Sequence, residues 1–143
     1  MIGAHGTTPE GEPPPPGRRR RAPPSRIGTG NVGLVLDSWH WYHAGDVAAD
    51  IAALGNGDVV AVDLNDAPSG VPKEQMVDSA RELPLATGVI DVAPFLGALI
   101  AIGYDGPVRA EPFNEALRKL PREEAVAATA QAMKRAFARF DGA

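Results

Sequence analysis

The sequence contains no cysteine, which excludes a disulfide framework and a thiolate metal site and leaves the redox compartment open. No apolar run approaches the roughly 20 residues that a bilayer span requires. The charged N-terminus has no apolar core behind it, so it does not read as a secretory signal. No G-x-G-x-x-G or Walker-type loop follows a strand-like run, which argues against dinucleotide or nucleotide binding. "GTGNVG" at residues 28–33 precedes such a run instead, and Ser38 lacks the setting of a nucleophile elbow. The expectation is a water-soluble, cytoplasmic protein.

What is present divides the 143 residues in two. Residues 1–30 include "TTPEGEPPPPGRRRRAPPSR", with four consecutive prolines, four consecutive arginines and almost nothing apolar. Such a segment buries too little surface to offset its ordering entropy and is read as a disordered Pro/Arg-rich tail. A basic run can bind nucleic acid or anionic lipid, but no aromatics interleave with it, which favours a solvated tail. Formal net charge is −4 with this tail included, so the rest is more acidic still. Neither nucleic acid nor a membrane is expected as its partner.

From residue 31 to 143 the hydrophobic period alternates between that of strand and that of helix. "VGLVLD" is a strand, and "DVAADIAALG" a helix with Asp46 as cap and Gly55 as a left-handed stop. "DVVAVDLND" is a second strand, apolar enough to be covered on both faces. A Pro-, Gly- and Ser-rich loop of about 22 residues follows, a length that is usually functional or disordered. "DVAPFLGALIAIG" is a helix capped by Asp91, with Pro94 in its first turn and Gly103 at its end. "GPVRAEPF" is a third strand. A last helix begins near Pro121, with Val126, Ala130, Met133, Phe137 and Phe140 as its apolar face. The order β-α-β-α-β-α implies parallel strands with right-handed crossovers, in a doubly wound domain or part of a (β/α)₈ barrel.

The acids fall at the strand ends: Asp37 after the first, Asp63 after the second with Asp66 three residues on, and Glu111 after the third. Parallel strands bring those ends to one edge, where α/β folds build their sites. Converging carboxylates repel unless a cation lies among them. Oxygen donors with an imidazole nearby suit Mn²⁺, Mg²⁺ or Co²⁺ better than a structural zinc. His40, three residues past Asp37, can reach the same mouth. Trp39 and Trp41 alternate, so one faces the site and the other packs. Arg81 in the long loop can hold a phosphate or carboxylate at two points, although a lone loop arginine is more often solvated. His43 and His5 show no partner.

"LDSWHWY", "DLNDAPSGVP", "TGVIDVAPFLGALIAIGYDGPV" and "EPFN", in this order and spacing, resemble the C-terminal part of the sugar phosphate isomerase/epimerase family. These are xylose isomerase-like TIM barrels, akin to the inositol-catabolism dehydratase and isomerase and to ketose 3-epimerases. The resemblance implies a barrel holding one divalent metal, with Asp37 as a ligand and Glu111 as ligand and acid/base. It implies His40 as a catalytic contact to substrate oxygen and Arg81, in an Arg-x-x-Pro segment, as a substrate-binding arginine. Asp63 stands where relatives commonly carry a metal-binding histidine; an aspartate still ligates Mn²⁺ or Mg²⁺ but adds charge.

The implied chemistry is metal-assisted proton transfer at carbon through an enediolate, on a sugar, inositol-derived or hydroxy-acid substrate. A complete barrel takes about 250 residues, so the reading is a partial (β/α)₈ barrel of three C-terminal βα units. That leaves open sheet edges for a second copy or another chain to cover, and a second glutamate of the family without a counterpart. The chain alone is therefore expected to lack isomerase turnover. A dehydratase on the same scaffold and a non-catalytic remnant that binds metal or a partner are the alternatives. A DNA-repair endonuclease of the same superfamily would need a histidine-rich zinc cluster and a basic face, which the body does not supply.

Overall fold

The computed structural model describes residues 32–138. The expected tail over residues 1–30, His5 and the last residue of the proposed helix face, Phe140, lie outside the described residues. Three strands form one parallel sheet in the order β1 (Leu34–Asp37), β2 (Val59–Leu64), β3 (Val108–Ala110). Each is followed by helix: α1 (Ser38–Ala44) and α2 (Ala48–Ala52) after β1, α3 (Val92–Ala101) after β2, and α4 (Glu115–Arg118) and α5 (Arg122–Ala138) after β3. The α/β class and the parallel sheet are those expected.

Register decides which side chains share a face. Leu36 pairs with Val62, Asp37 with Asp63, and Val62 with Val108. Because side chains alternate along a strand, Val62 and Leu64 point one way and Asp63 the other. The first face meets α2 and α3 in a core of Ile51, Val62, Leu64, Phe95, Leu96 and Leu99. The second carries Asp37, Asp63 and Arg109, and it is not uniformly covered, since Val35 is half exposed. The expectation that β2 is covered on both faces therefore fails at Val60 and in part at Ala61, and holds over its last three residues. A register irregularity between Leu34 and Val35 accompanies the exposure of Val60.

The helix ends differ in detail from those expected. α1 takes the aromatic cluster "SWHWYHA" into a helix that periodicity did not suggest. Asp37 caps it, accepting from Trp39 N at 2.8 Å, and Gly45 ends it at φ 68°, where a side chain would strain the backbone. α2 starts from Val47 rather than Asp46; Asp50, in its first turn, reaches back to Val47 N at 3.0 Å. Gly55 is extended at φ −100° and starts a 3₁₀ turn, so it is not a left-handed stop. Asp91 and Gly103 frame α3 as expected, Asp91 accepting from Ala93 N and Gly103 standing at φ 69°.

The apolar face assigned to the last helix is right at Met133 and wrong at Val126, Ala130 and Phe137. Val126 and Phe137 are exposed, whereas Ala132 and Ala136 are fully buried and Met133 packs against the core. Small residues let the helix approach β3, and spacing by hydrophobic bulk picks a stripe rotated by about a quarter turn from the buried one.

The long loop is ordered, not a plain connector. It holds 3₁₀ turns at Lys73–Gln75 and Asp78–Ala80, and an antiparallel bridge joins Asp66 to Glu82. Fully buried Asp66 accepts from the backbone N–H groups of Ala67, Thr87, Gly88 and Ile90 at 2.7–2.9 Å. It thus fastens both ends of the loop and contributes no ligand atom to the cluster at the strand ends. Asp66→Ala leaves four backbone donors without their acceptor and should cost about 3 kcal/mol or more. Urea unfolding measures it, and a loss below about 0.5 kcal/mol, typical of an ordinary surface site, would contradict this role.

Candidate functional site

Asp37, Asp63 and Glu111 each offer one carboxylate oxygen, and these atoms lie within 4.8 Å of one another. Their gathering follows from the sheet: Asp37 and Asp63 are register partners, and Glu111 directly follows β3. Asp37 and Asp63 are buried to 8% and 5% side-chain exposure, and Glu111 stays open at 35%.

Two guanidiniums occupy this cluster. Arg81 is buried, with 3% of its side chain exposed, against the expectation that a lone loop arginine is solvated. Its Nη1 donates to Asp37 Oδ2 and to Glu111 Oε2, both at 2.8 Å. Its other edge grips Asp78 Oδ1, with Nε at 3.1 Å and Nη2 at 2.6 Å. Burial opposes the charge of Arg81, but the hydrogen bond to Asp78 and the nearby Asp37 outweigh it and raise its pKa. The guanidinium also lies over Phe113 at 5.0 Å and Trp39 at 5.7 Å. Trp39 is thus the tryptophan that faces the site, while Trp41 packs edge-on against Phe95.

His40 projects from α1 with 65% of its side chain exposed, and its Nε2 is 3.2 Å from Arg81 Nη2 and 3.7 Å from Asp37 Oδ2. Arginine can only donate, so the first contact is a hydrogen bond when Nε2 is unprotonated. His43 lies outside the cluster, its ring 4.4 Å from that of Trp39. Burial first, then the charge of Lys73, lowers its pKa.

Four residues to which the sequence assigned no role in the site complete the arrangement. Arg109, the register partner of Asp63, takes both its oxygens, with Nε at 2.5 Å from Oδ1 and Nη2 at 3.1 Å from Oδ2. Asp78 holds Arg81. Asn65 donates to Asp37 Oδ1 at 3.2 Å, and its own Oδ1 has no hydrogen-bond partner among the described residues. Ser38 ties α1 to β2, donating to Asn65 O at 2.9 Å and accepting from Asn65 N at 2.7 Å. The available signal was strand alternation: Arg109 and Asn65 lie two residues from Glu111 and Asp63, and so on the same face.

The donor set fits a divalent cation. All three residues that could hold it are carboxylates, matching the oxygen preference of Mg²⁺ or Mn²⁺. Among the described residues, the four carboxylates of Asp37, Asp63, Asp78 and Glu111 are ion-paired to two guanidiniums, Arg81 and Arg109, which with His40 neutral leaves a formal deficit of two positive charges. The guanidiniums of Arg81 and Arg109 hold oxygens that such a cation would share.

A strand-helix alternation with its acids at the C-terminal strand ends is common to doubly wound sheets and barrel segments. A family model described as xylose isomerase-like TIM barrel matches residues 25–136, and the chain belongs to that family. It is 35% identical over 102 residues to an inosose isomerase of Bacillus subtilis, covering 67% of this chain and 34% of that protein. It is 32% identical over 98 residues to a 3-dehydroshikimate dehydratase of Pseudomonas aeruginosa, covering 67% of this chain and 15% of that protein. Among solved structures, it aligns with the IolI protein with a binding zinc atom at TM-score 0.73 and 27% identity, over 81% of this chain and 41% of that one. A xylose isomerase domain protein from Alicyclobacillus acidocaldarius aligns at TM-score 0.68 and 36% identity, over 80% and 40%. The chain thus spans well under half of each. No helix among the described residues is long and apolar enough to cross a membrane.

Beside the cluster, Glu82 accepts from Asn114 at 2.8 Å, and burial, then the charge of Asp66, raises its pKa. A carboxyl whose folded pKa is raised adds stability below its ordinary value and loses it as pH rises through the raised one. Stability should therefore fall across that window, and Glu82→Gln should flatten the fall; an unchanged pH profile of melting temperature would contradict the assignment.

Proposed function

We propose that this chain carries the metal- and substrate-facing strand ends of an isomerase-type barrel that transfers a proton at carbon on a sugar, inositol-derived or hydroxy-acid substrate. The observation that carries the reading is the convergence of Asp37, Asp63 and Glu111 at one sheet edge. Kinship to an inosose isomerase and structural likeness to a zinc-bearing relative support it.

Asp37, Asp63 and Glu111 would hold the ion, with Mn²⁺, Mg²⁺ or Co²⁺ as the candidates suited to this donor set. Bound there, the ion would polarise a substrate carbonyl and ease loss of the proton on the adjacent carbon. Glu111, the most exposed of the three acids, is placed to take that proton as a carboxylate and return it as a carboxylic acid. The electron pair left on carbon enters an enediolate. Reprotonation at the former carbonyl carbon, with the hydroxyl proton of the first carbon passing to the former carbonyl oxygen, gives isomerisation. His40, at the open rim, meets a substrate hydroxyl or carbonyl oxygen. All five N–H donors of Arg81 are engaged, so it would meet substrate oxygen by exchanging its contact to His40 or Glu111, while Asp78 keeps its other edge fixed and Trp39 packs beside it.

A dehydratase is the second reading, favoured by kinship to 3-dehydroshikimate dehydratase: the same enediolate loses a β-hydroxyl, which leaves as water with the proton taken from carbon. Both readings share the first proton transfer, which needs one base. In D₂O with Mn²⁺ and a cyclic ketose, the chain should wash deuterium into the carbon next to the carbonyl, followed by proton NMR. Glu111→Gln should slow this about 100-fold or more. Exchange that is independent of both Glu111 and metal would sink the proposal. Asp37→Ala and Glu111→Ala should each weaken Mn²⁺ binding at least about tenfold in calorimetric titration, losing one of few charged ligands; unchanged affinity would place the ion elsewhere.

A further inference from the structure

The three carboxylates are not equally available. Asp37 shares Oδ2 with Arg81 and spends Oδ1 on Trp39 N and Asn65. Glu111 shares only Oε2 with Arg81. Asp63 has both oxygens engaged by a single partner, Arg109, in a two-point grip. Such a fork against a carboxylate is among the stronger charge-assisted arrangements, and Asp63 is only 5% exposed. Its partner differs: 61% of the Arg109 side chain is exposed, so it can leave Asp63 for water without losing a packed position.

We propose that Arg109 sets the divalent-cation affinity of the site by occupying Asp63, so that a cation gains its third carboxylate only by breaking the fork. The inference rests on the metal reading above and goes beyond it, because it assigns the strength of binding to a residue that is not a ligand. With the fork closed, the site offers Asp37 and Glu111; with it open, it offers all three acids. Register fixes this competition, since Asp63 and Arg109 lie opposite each other on β2 and β3 and point to the same face. Arg81 cannot play this part, because its Asp78 grip and its burial hold it in place.

The test is a titration of the full chain with Mn²⁺, counting the free ion by its electron paramagnetic resonance signal. Four proteins are compared: the parent, Arg109→Ala, Asp63→Asn and the double variant. Arg109→Ala should tighten Mn²⁺ binding about tenfold, the size of an ordinary coupling between contacting residues. The gain should vanish when Asp63 is already asparagine. Arg109→Gln, which keeps the aliphatic stem over the sheet, should give the same result should the alanine variant unfold. Equal affinities in the parent and Arg109→Ala would overturn the inference while leaving the metal reading standing. So would a gain of equal size in the Asp63→Asn background, which would mean that removing any positive charge suffices. No Mn²⁺ bound by any of the four would overturn the metal reading, and this inference with it.

Discussion

One guanidinium ties the site together. Arg81 reaches from the long loop to Asp37 at the end of β1 and to Glu111 beyond β3, and Asp78 fixes its other edge. Removing it would leave Asp37 nearly buried without its cationic partner, a type of loss that costs far more than an exposed pair contributes. The loop has reason to be long: it must carry one arginine from the edge of β2 back over the mouth of the sheet. Asp66 makes that excursion affordable in conformational terms by collecting four backbone N–H groups at the loop's two ends. Loop order and site geometry are therefore one problem, solved by two buried charged residues.

The second constraint is charge. Four carboxylates meet two guanidiniums, and the arrangement is short of positive charge by the equivalent of one divalent cation. The arginines neutralise enough for the acids to approach within 4.8 Å while holding the oxygens a cation would use. Arg81 is buried and doubly anchored, whereas Arg109 is exposed and bound to one partner. That difference is why Arg109, and not Arg81, is proposed to yield its carboxylate to a cation.

Much of this was legible in the sequence, for a physical reason. Short apolar strands with Asp37, Asp63 and Glu111 at or beside their C-terminal ends give both the parallel sheet and the common edge, because strand ends in such a fold coincide. Arg81 was visible as a residue but not as a buried one, since burial here depends on a partner, Asp78, three residues away within an irregular turn. Arg109 was passed over as a strand residue, although its position opposite Asp63 follows once the register is known. α1 was missed because Trp, His and Tyr are indifferent helix formers. Its true signals were the bracketing residues, the cap at Asp37 and the left-handed Gly45. The face of α5 was misread because alanine buries well at close approach but weighs little in a search for bulk.

The central claim is that one cation shares the oxygens of Asp37, Asp63 and Glu111 at the C-terminal edge of the sheet. The most direct measurement is anomalous diffraction from crystals of the chain grown with Mn²⁺. The account predicts a single anomalous peak within about 2.5 Å of oxygens from Asp37 and Glu111, with Asp63 freed from Arg109 to join them. A peak away from these residues, or none beside an undisturbed Arg81 and Arg109, would contradict it.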